Sequence, residues 1–241
     1  MISEMLSYDF IQRAFLGGVL VSLCAALLGV SLVLKRYSMI GDGLSHVSFG
    51  ALSIAIACGI APLKFAIPVV IVAAFLLLRL AENGKMRSDA AIAMVSASSL
   101  AIGVIVTSLT TGLSTDIYSY MFGSILAMSK DDVVVSGLLS VIVIIMFVAC
   151  YHKIFAVTFD ENFSKATGVK VGMYNTLISI FTAITIVVGI KMMGAMLISS
   201  LIVFPSLTSM RIFKSFKSVT ICSAILSVVN FTIGLICSYG F

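Results

Sequence analysis

The amino-acid sequence predicts an all-α, polytopic integral membrane protein with about eight transmembrane helices and one short re-entrant or interfacial helix. Three observations carry that prediction: the composition, the length of the apolar runs and the placement of the charges. Of 241 residues, 61% are hydrophobic and 10% are charged, and the mean hydropathy is +1.21. A soluble domain has roughly 45–50% apolar and about 25% charged residues. So few charges cannot cover a water-soluble fold of this length, and lipid is the solvent for most of the surface. The net charge of +5 does not mark a nucleic-acid binder, because the charges form short clusters between apolar runs rather than one face or a tail.

Each span follows from the chain in order. The segment Met1 to Asp9 has no basic n-region and no small-residue cleavage site follows the first apolar run, so that run is expected to stay as a permanent helix rather than a cleaved signal. Runs of about 17–22 apolar residues match a hydrocarbon core near 30 Å thick. They fall at 14–34, 41–59, 63–81, 91–110, 133–151, 174–190, 192–210 and 218–238. The stretch from Ile117 to Met128 is too short to span and reads as the re-entrant or interfacial helix. The whole of 1–241 is expected to form one transmembrane domain. The five cysteines (Cys24, Cys58, Cys150, Cys222, Cys237) are scattered, with no Cys-x-x-Cys pair, as small hydrophobes would be.

Loop charges set the orientation. With the N-terminus outside, the inner loops collect Lys35, Arg36, Arg79, Lys85, Arg87, Lys153, Lys165, Lys170, Arg211, Lys214 and Lys217, leaving Arg13, Lys64, Lys130 and Lys191 outside. The excess of basic residues then lies on the cytoplasmic side, and an even number of spans puts the C-terminus outside as well. The longest polar segment, 152–172, is cytoplasmic in this arrangement. Within it, Asp160 and Glu161 precede Lys165 and Ala166, and Gly168 follows. That order reads as a short amphipathic helix with a glycine stop, or as an ordinary loop.

One place brings ionisable groups into the membrane. Asp42 and His46 stand four apart, so on a helix they share one face. Counted inward from Arg36, they lie roughly 9 Å and 15 Å deep. Such groups are costly in lipid and mark functional sites by default. A carboxylate with an imidazole is ligand chemistry for zinc or manganese. Spacing alone equally allows Asp42 as a helix N-cap and His46 as a donor to a neighbouring helix. Two residues are also too few for a full coordination shell. Small and polar residues flank the pair (Gly41, Gly43, Ser45, Ser48, Gly50), and a second such strip, Ser199 to Ser209, surrounds Pro205. Pro205 is expected to kink its helix, either for packing or as a hinge lining a pathway. The chain has no Gly-x-x-x-x-Gly-Lys-Ser/Thr and no His-Glu-x-x-His, so neither nucleotide hydrolysis nor a metallohydrolase is expected of it. A stand-alone secondary transporter or channel is the competing class, which would favour inverted repeats and acids in several helices.

Several motifs occur together in a set order: Leu34-Lys35-Arg36, then Gly41-Asp42-Gly43-Leu44-Ser45-His46, Ser88-Asp89-Ala90-Ala91-Ile92 and Phe122-Gly123-Ser124-Ile125-Leu126. Phe159-Asp160-Glu161-Asn162-Phe163-Ser164-Lys165-Ala166-Thr167-Gly168-Val169 and the stretch around Pro205 complete the set. In these the chain resembles the membrane permease of bacterial ATP-binding-cassette importers for zinc, manganese or iron. The resemblance implies a permease in the bacterial cytoplasmic (inner) membrane, working as two copies with separate cytoplasmic ATPase subunits and an extracytoplasmic metal-binding protein. It makes Asp42 and His46 metal-pathway residues for a transported zinc or manganese ion, with no permanently bound cofactor. It also makes Asp160, Glu161, Ala166 and Gly168 part of the loop that docks on the ATPase. Two places depart from the family pattern: Ser88, where relatives often carry an acid, and Ser206-Leu207-Thr208-Ser209 after the proline.

Overall fold

In a computed structural model of the chain, residues 9–37, 39–82, 88–110, 123 and 130–240 are described. They form helices and no strand. In chain order these are α1 (Asp9–Leu34), α2 (Ile40–Ala57), α3 (Pro62–Glu82), α4 (Ser88–Leu109), α5 (Lys130–Ala149), α6 (Tyr151–Phe159), α7 (Glu161–Ala166), α8 (Val171–Met193), α9 (Ala195–Ile212) and α10 (Phe216–Gly240).

Six of these helices, α1, α2, α4, α8, α9 and α10, are long and apolar enough to cross a membrane. The pair α5–α6 passes the same test only when taken together, bent by 71° at its break, and α3 carries a shorter apolar stretch, Pro62–Leu77. Among the described residues that makes six candidate crossings, or seven with the bent pair, against the eight expected from the sequence. The stretch from Ile117 to Met128 lies outside the described residues apart from Gly123. The side chains of Ser88 and Asp89 lie outside them too.

Burial sorts the helices into a centre and a rim. α1 packs on α5, α6, α8, α9 and α10; α8 packs on α1, α2, α3, α5, α6, α7 and α9. About 70% of the apolar windows of α1, α2 and α8 are buried, against 22% for α4 and 28% for α10. The centre is closed by Cys24, Leu28, Leu32, Leu44, Leu52, Ile186, Ile190 and Ile202, all nearly or wholly buried. The rim shows bare aliphatic side chains such as Ile105, Leu138, Ile145, Ile225 and Ile233. In a bilayer those faces meet acyl chains, so exposed leucine and isoleucine carry no hydrophobic penalty there.

Two glycine contacts explain how closely α2 packs on α4. A Cβ on Gly43 would stand 2.6 Å from the Ile92 side chain of α4, and one on Gly50 would stand 2.8 Å from the Ser99 backbone oxygen of the same helix. Only glycine allows that approach, which is how small residues bring membrane helices together.

Two boundaries stand apart from the sequence reading. The break before α9 falls at Gly194, whose φ of +83° and ψ of +163° suit glycine, rather than at Lys191. Lys191 therefore belongs to the last turn of α8. The polar segment after α5 begins as helix: Tyr151–Phe159 packs against α1, α5 and α8. Its Tyr151 and Phe155 rings meet Phe216 of α10, with centroids 5.6 and 5.0 Å away. α9 continues as helix on both sides of Pro205.

Candidate functional site

α2 starts at Ile40 after a turn with a specific hydrogen-bond pattern. The Tyr37 N–H donates to the Leu32 carbonyl at 2.8 Å and the Arg36 N–H to the Val33 carbonyl at 3.0 Å. These are the two bonds of a Schellman helix stop, with Lys35 as the C-cap and Arg36 in the left-handed position at φ +62°. Met39 occupies the N-cap position of α2 without a side-chain cap bond. Asp42 is therefore not the N-cap; it sits within the first turn, where the helix dipole favours an anion.

Around it the first two turns of α2 are closed. Ile40, Gly41, Gly43, Leu44 and Ser45 are buried. The Asp42 side chain alone is open, at 53% exposure, with His46 one turn on at 24%. Asp42 Oδ2 and His46 Nε2 are 3.7 Å apart, too far for a hydrogen bond. Two ligands about 2.1 Å from one tetrahedral ion stand about 3.4 Å apart, so the pair is spaced to grip one small cation with little movement. Among the described residues no group of three or more His, Cys, Asp or Glu is placed to hold a metal ion. One chain thus offers an N,O pair and leaves the remaining positions open.

The two small-residue strips named by the sequence meet beside this pair. Ser45 Oγ of α2 lies 3.1 Å from Ser199 Oγ of α9. Each hydroxyl also donates along its own helix, Ser45 to the Gly41 carbonyl at 2.8 Å and Ser199 to the Ala195 carbonyl at 2.9 Å. Further along α9, Ser206 donates to the Ile202 carbonyl at 3.0 Å and Ser209 to the Pro205 carbonyl at 2.7 Å. Those hydroxyls spend their protons on backbone, so the strip after Pro205 is polar without being charged. Pro205 itself is buried.

In the segment 152–172, Asp160 caps α7: its carboxylate accepts from the Phe163 N–H at 2.9 Å. Gly168 follows with φ +82°, which ends the helix as glycine does. Ala166 closes α7 and is exposed, and Glu161 opens it. The sequence reading missed what Glu161 holds. Lys35 Nζ lies 2.8 Å from Glu161 Oε1 and also donates to Asn175 Oδ1 of α8. Asn175 Nδ2 donates to Glu161 Oε1 at 3.1 Å, closing a triangle. Burial by itself pushes the Glu161 carboxyl up. The hydrogen bonds from Lys35 and Asn175, with the charges of Lys35 and Lys165, outweigh it and hold the group below its usual value.

Known proteins share this architecture. The chain is 30% identical to the "High-affinity zinc uptake system membrane protein ZnuB" of Buchnera aphidicola, over 95% of this chain and 87% of that one. It is 26% identical to the "Manganese import system permease protein ScaB" of Streptococcus gordonii, over 97% and 84%. Among solved structures it superposes on a chain of PsaBC from Streptococcus pneumoniae in complex with Fab. That match has a TM-score of 0.86 and 26% identity, and covers 99% of this chain and 87% of that one. Residues 7–241 match the ABC 3 transport family, and the chain belongs to it.

Proposed function

We propose that the chain is the permease subunit of an ATP-driven importer that carries a divalent transition-metal ion, zinc or manganese, across the bacterial cytoplasmic membrane. The observation that carries this reading is the Asp42–His46 pair, 3.7 Å apart and half open on a helix whose neighbouring residues are buried. The names of the zinc and manganese relatives support the same cargo. An oxygen and a nitrogen ligand accept either ion, and ferrous iron as well. Membership of an ABC family removes the stand-alone secondary transporter as the better alternative and assigns ATP hydrolysis to another subunit.

In the working assembly two copies meet so that a second Asp42 and His46 complete an N2O2 shell, and the cation offsets both carboxylates. An extracytoplasmic metal-binding protein delivers the ion, and cytoplasmic ATPases dock on the segment 152–172 through Asp160, Glu161, Ala166 and Gly168. Pro205, which removes one backbone hydrogen bond from α9, is the hinge of the pathway wall. A dimer in which one copy carries Asp42→Ala and His46→Ala tests the shared site. Uptake should fall at least tenfold below wild type with complex yield unchanged. Uptake at about half the wild-type rate would mean that each copy has its own path.

Both termini face outside in this reading. Cys58, in the turn after α2, and Lys165, in α7, are exposed and lie on opposite sides of the membrane in this topology. An impermeant maleimide should label a variant retaining Cys58 alone in intact cells, and a cysteine-free variant carrying Lys165→Cys only after the cells are opened. Labelling of position 165 in intact cells overturns the orientation.

A further inference from the structure

We propose that Lys35 is a positioning residue that fastens the ATPase-facing helix α7 to the turn leading into the metal helix α2, so that movement of α7 reaches Asp42 and His46 through it. The proposal rests on the functional reading above and adds a component to it.

The geometry makes Lys35 a junction of three helices. It is the C-cap of α1, while its ammonium is bound by the first residue of α7 and by Asn175 in the second turn of α8. Its side chain is 8% exposed although it carries a charge. A lysine in that position is tolerable only with its donors occupied, because an unpaired buried ammonium is strongly disfavoured. Here Glu161 supplies a carboxylate and Asn175 a carbonyl oxygen, and the Asn175 amide returns to the same Glu161 oxygen. Each member orients the other two, so α7 cannot shift along the membrane surface without pulling on Lys35 or breaking the triangle.

The path from Lys35 to the metal pair is short. Tyr37 N–H is bound to Leu32, Ile40 N–H to the Tyr37 carbonyl at 3.0 Å, and Gly43 N–H to the Met39 carbonyl at 3.0 Å. Hydrogen bonds thus cross the turn from the end of α1 to the residue beside Asp42. These bonds pass a displacement of Lys35 on to the start of α2. An ordinary surface ion pair would carry no such argument, since its side chains reorient freely in water.

The test is the number of metal ions delivered per ATP hydrolysed by the complete reconstituted complex, measured for Lys35→Met, Lys35→Arg and Asn175→Leu. A residue that merely supports the fold changes complex yield, not that ratio. Lys35→Met should lower the ratio at least fivefold. Lys35→Arg, whose guanidinium can meet both acceptors, should keep at least half of it. Asn175→Leu, which removes one acceptor of Lys35 and the return bond to Glu161 while leaving the docking residues in place, should lower it at least twofold. A wild-type ratio in Lys35→Met or in Asn175→Leu overturns the proposal. If Lys35→Met is not recovered in the membrane, a wild-type ratio in Asn175→Leu, or less than half of it in Lys35→Arg, overturns the proposal. Asp42→Ala, run alongside, keeps the two readings apart: loss of uptake there with normal coupling in Lys35→Met sinks only the clamp, whereas normal uptake in Asp42→Ala sinks the metal site.

Discussion

Two pairings of unlike groups, Asp42 with His46 and Lys35 with Glu161, lie a few residues apart in the chain at one of their ends and are built to opposite specifications. The first pair is held at 3.7 Å, has a carboxylate more than half open and makes no hydrogen bond between its members. The second is held at 2.8 Å, with its cation nearly buried and a third side chain bridging it. A site that takes an ion on one side and gives it up on the other cannot satisfy its own ligands internally, because the ion would then have to break those bonds. A joint that transmits motion has the reverse requirement. On the functions proposed above, the looseness of Asp42–His46 suits a site that passes an ion on, and the closure of Lys35–Glu161–Asn175 suits a joint that transmits motion.

The comparison can be broken by acid. Because the folded Glu161 carboxyl sits below its usual value, its contribution to docking α7 is fully present above the ordinary carboxylate range of about 4.3. That contribution is lost only as the pH falls through the depressed folded value. Backbone hydrogen exchange of 161–169 in the solubilised protein, corrected for intrinsic rates, should show constant protection from pH 8 to about pH 5.5 and a decline below about pH 4.5. Glu161 is 37% exposed, so water screens part of the effect and the decline should be several-fold rather than complete. In Lys35→Met the decline should begin at higher pH, because the largest source of depression is gone. Protection that already falls near neutrality in the wild type would show that the triangle is not closed in solution.

How much of this was legible in the sequence depends on the range over which each feature is encoded. Asp42 and His46 announce themselves because charge inside an apolar run is rare, and their shared face follows from a spacing of four. α7 was readable from the Asp160 cap and from Gly168, again local signals. The clamp was not, since Glu161 and Asn175 are 126 and 140 residues from Lys35 and only the packing of α1, α7 and α8 brings them together. Lys35 looked like one more inner-loop charge. The 71° bend after α5 was equally silent: neither glycine nor proline marks Cys150, and the turn is stabilised by Tyr151 and Phe155 meeting Phe216, far along the chain. Lys191 misled in the other direction. A charge was read as a helix end, yet the helix continues to Met193 because the backbone breaks where glycine permits it.

The smallest expected effect sharpens the role of the turn between the two pairs. Arg36 holds φ at +62°, a conformation that costs a non-glycine residue about 1–2 kcal/mol. The position is the one that glycine usually occupies in a helix stop of this kind. Arg36→Gly removes that strain and gives back part of the gain through the larger freedom of glycine in the unfolded chain. The net expectation is a rise in stability of about 0.5–1 kcal/mol, read from thermal unfolding of the solubilised protein. Arg36→Val should lower stability by about 1–2 kcal/mol, since a branched Cβ tolerates the left-handed region least. If the turn serves only to reverse the chain at a fixed angle, uptake by Arg36→Gly stays at the wild-type level while stability rises. A more stable Arg36→Gly protein with slower uptake would place the stiffness of this turn, and not only its shape, in the path from Lys35 to Asp42. A glycine here loosens the backbone connection between Lys35 and Asp42 while leaving the packing of α8 on α2 as it is.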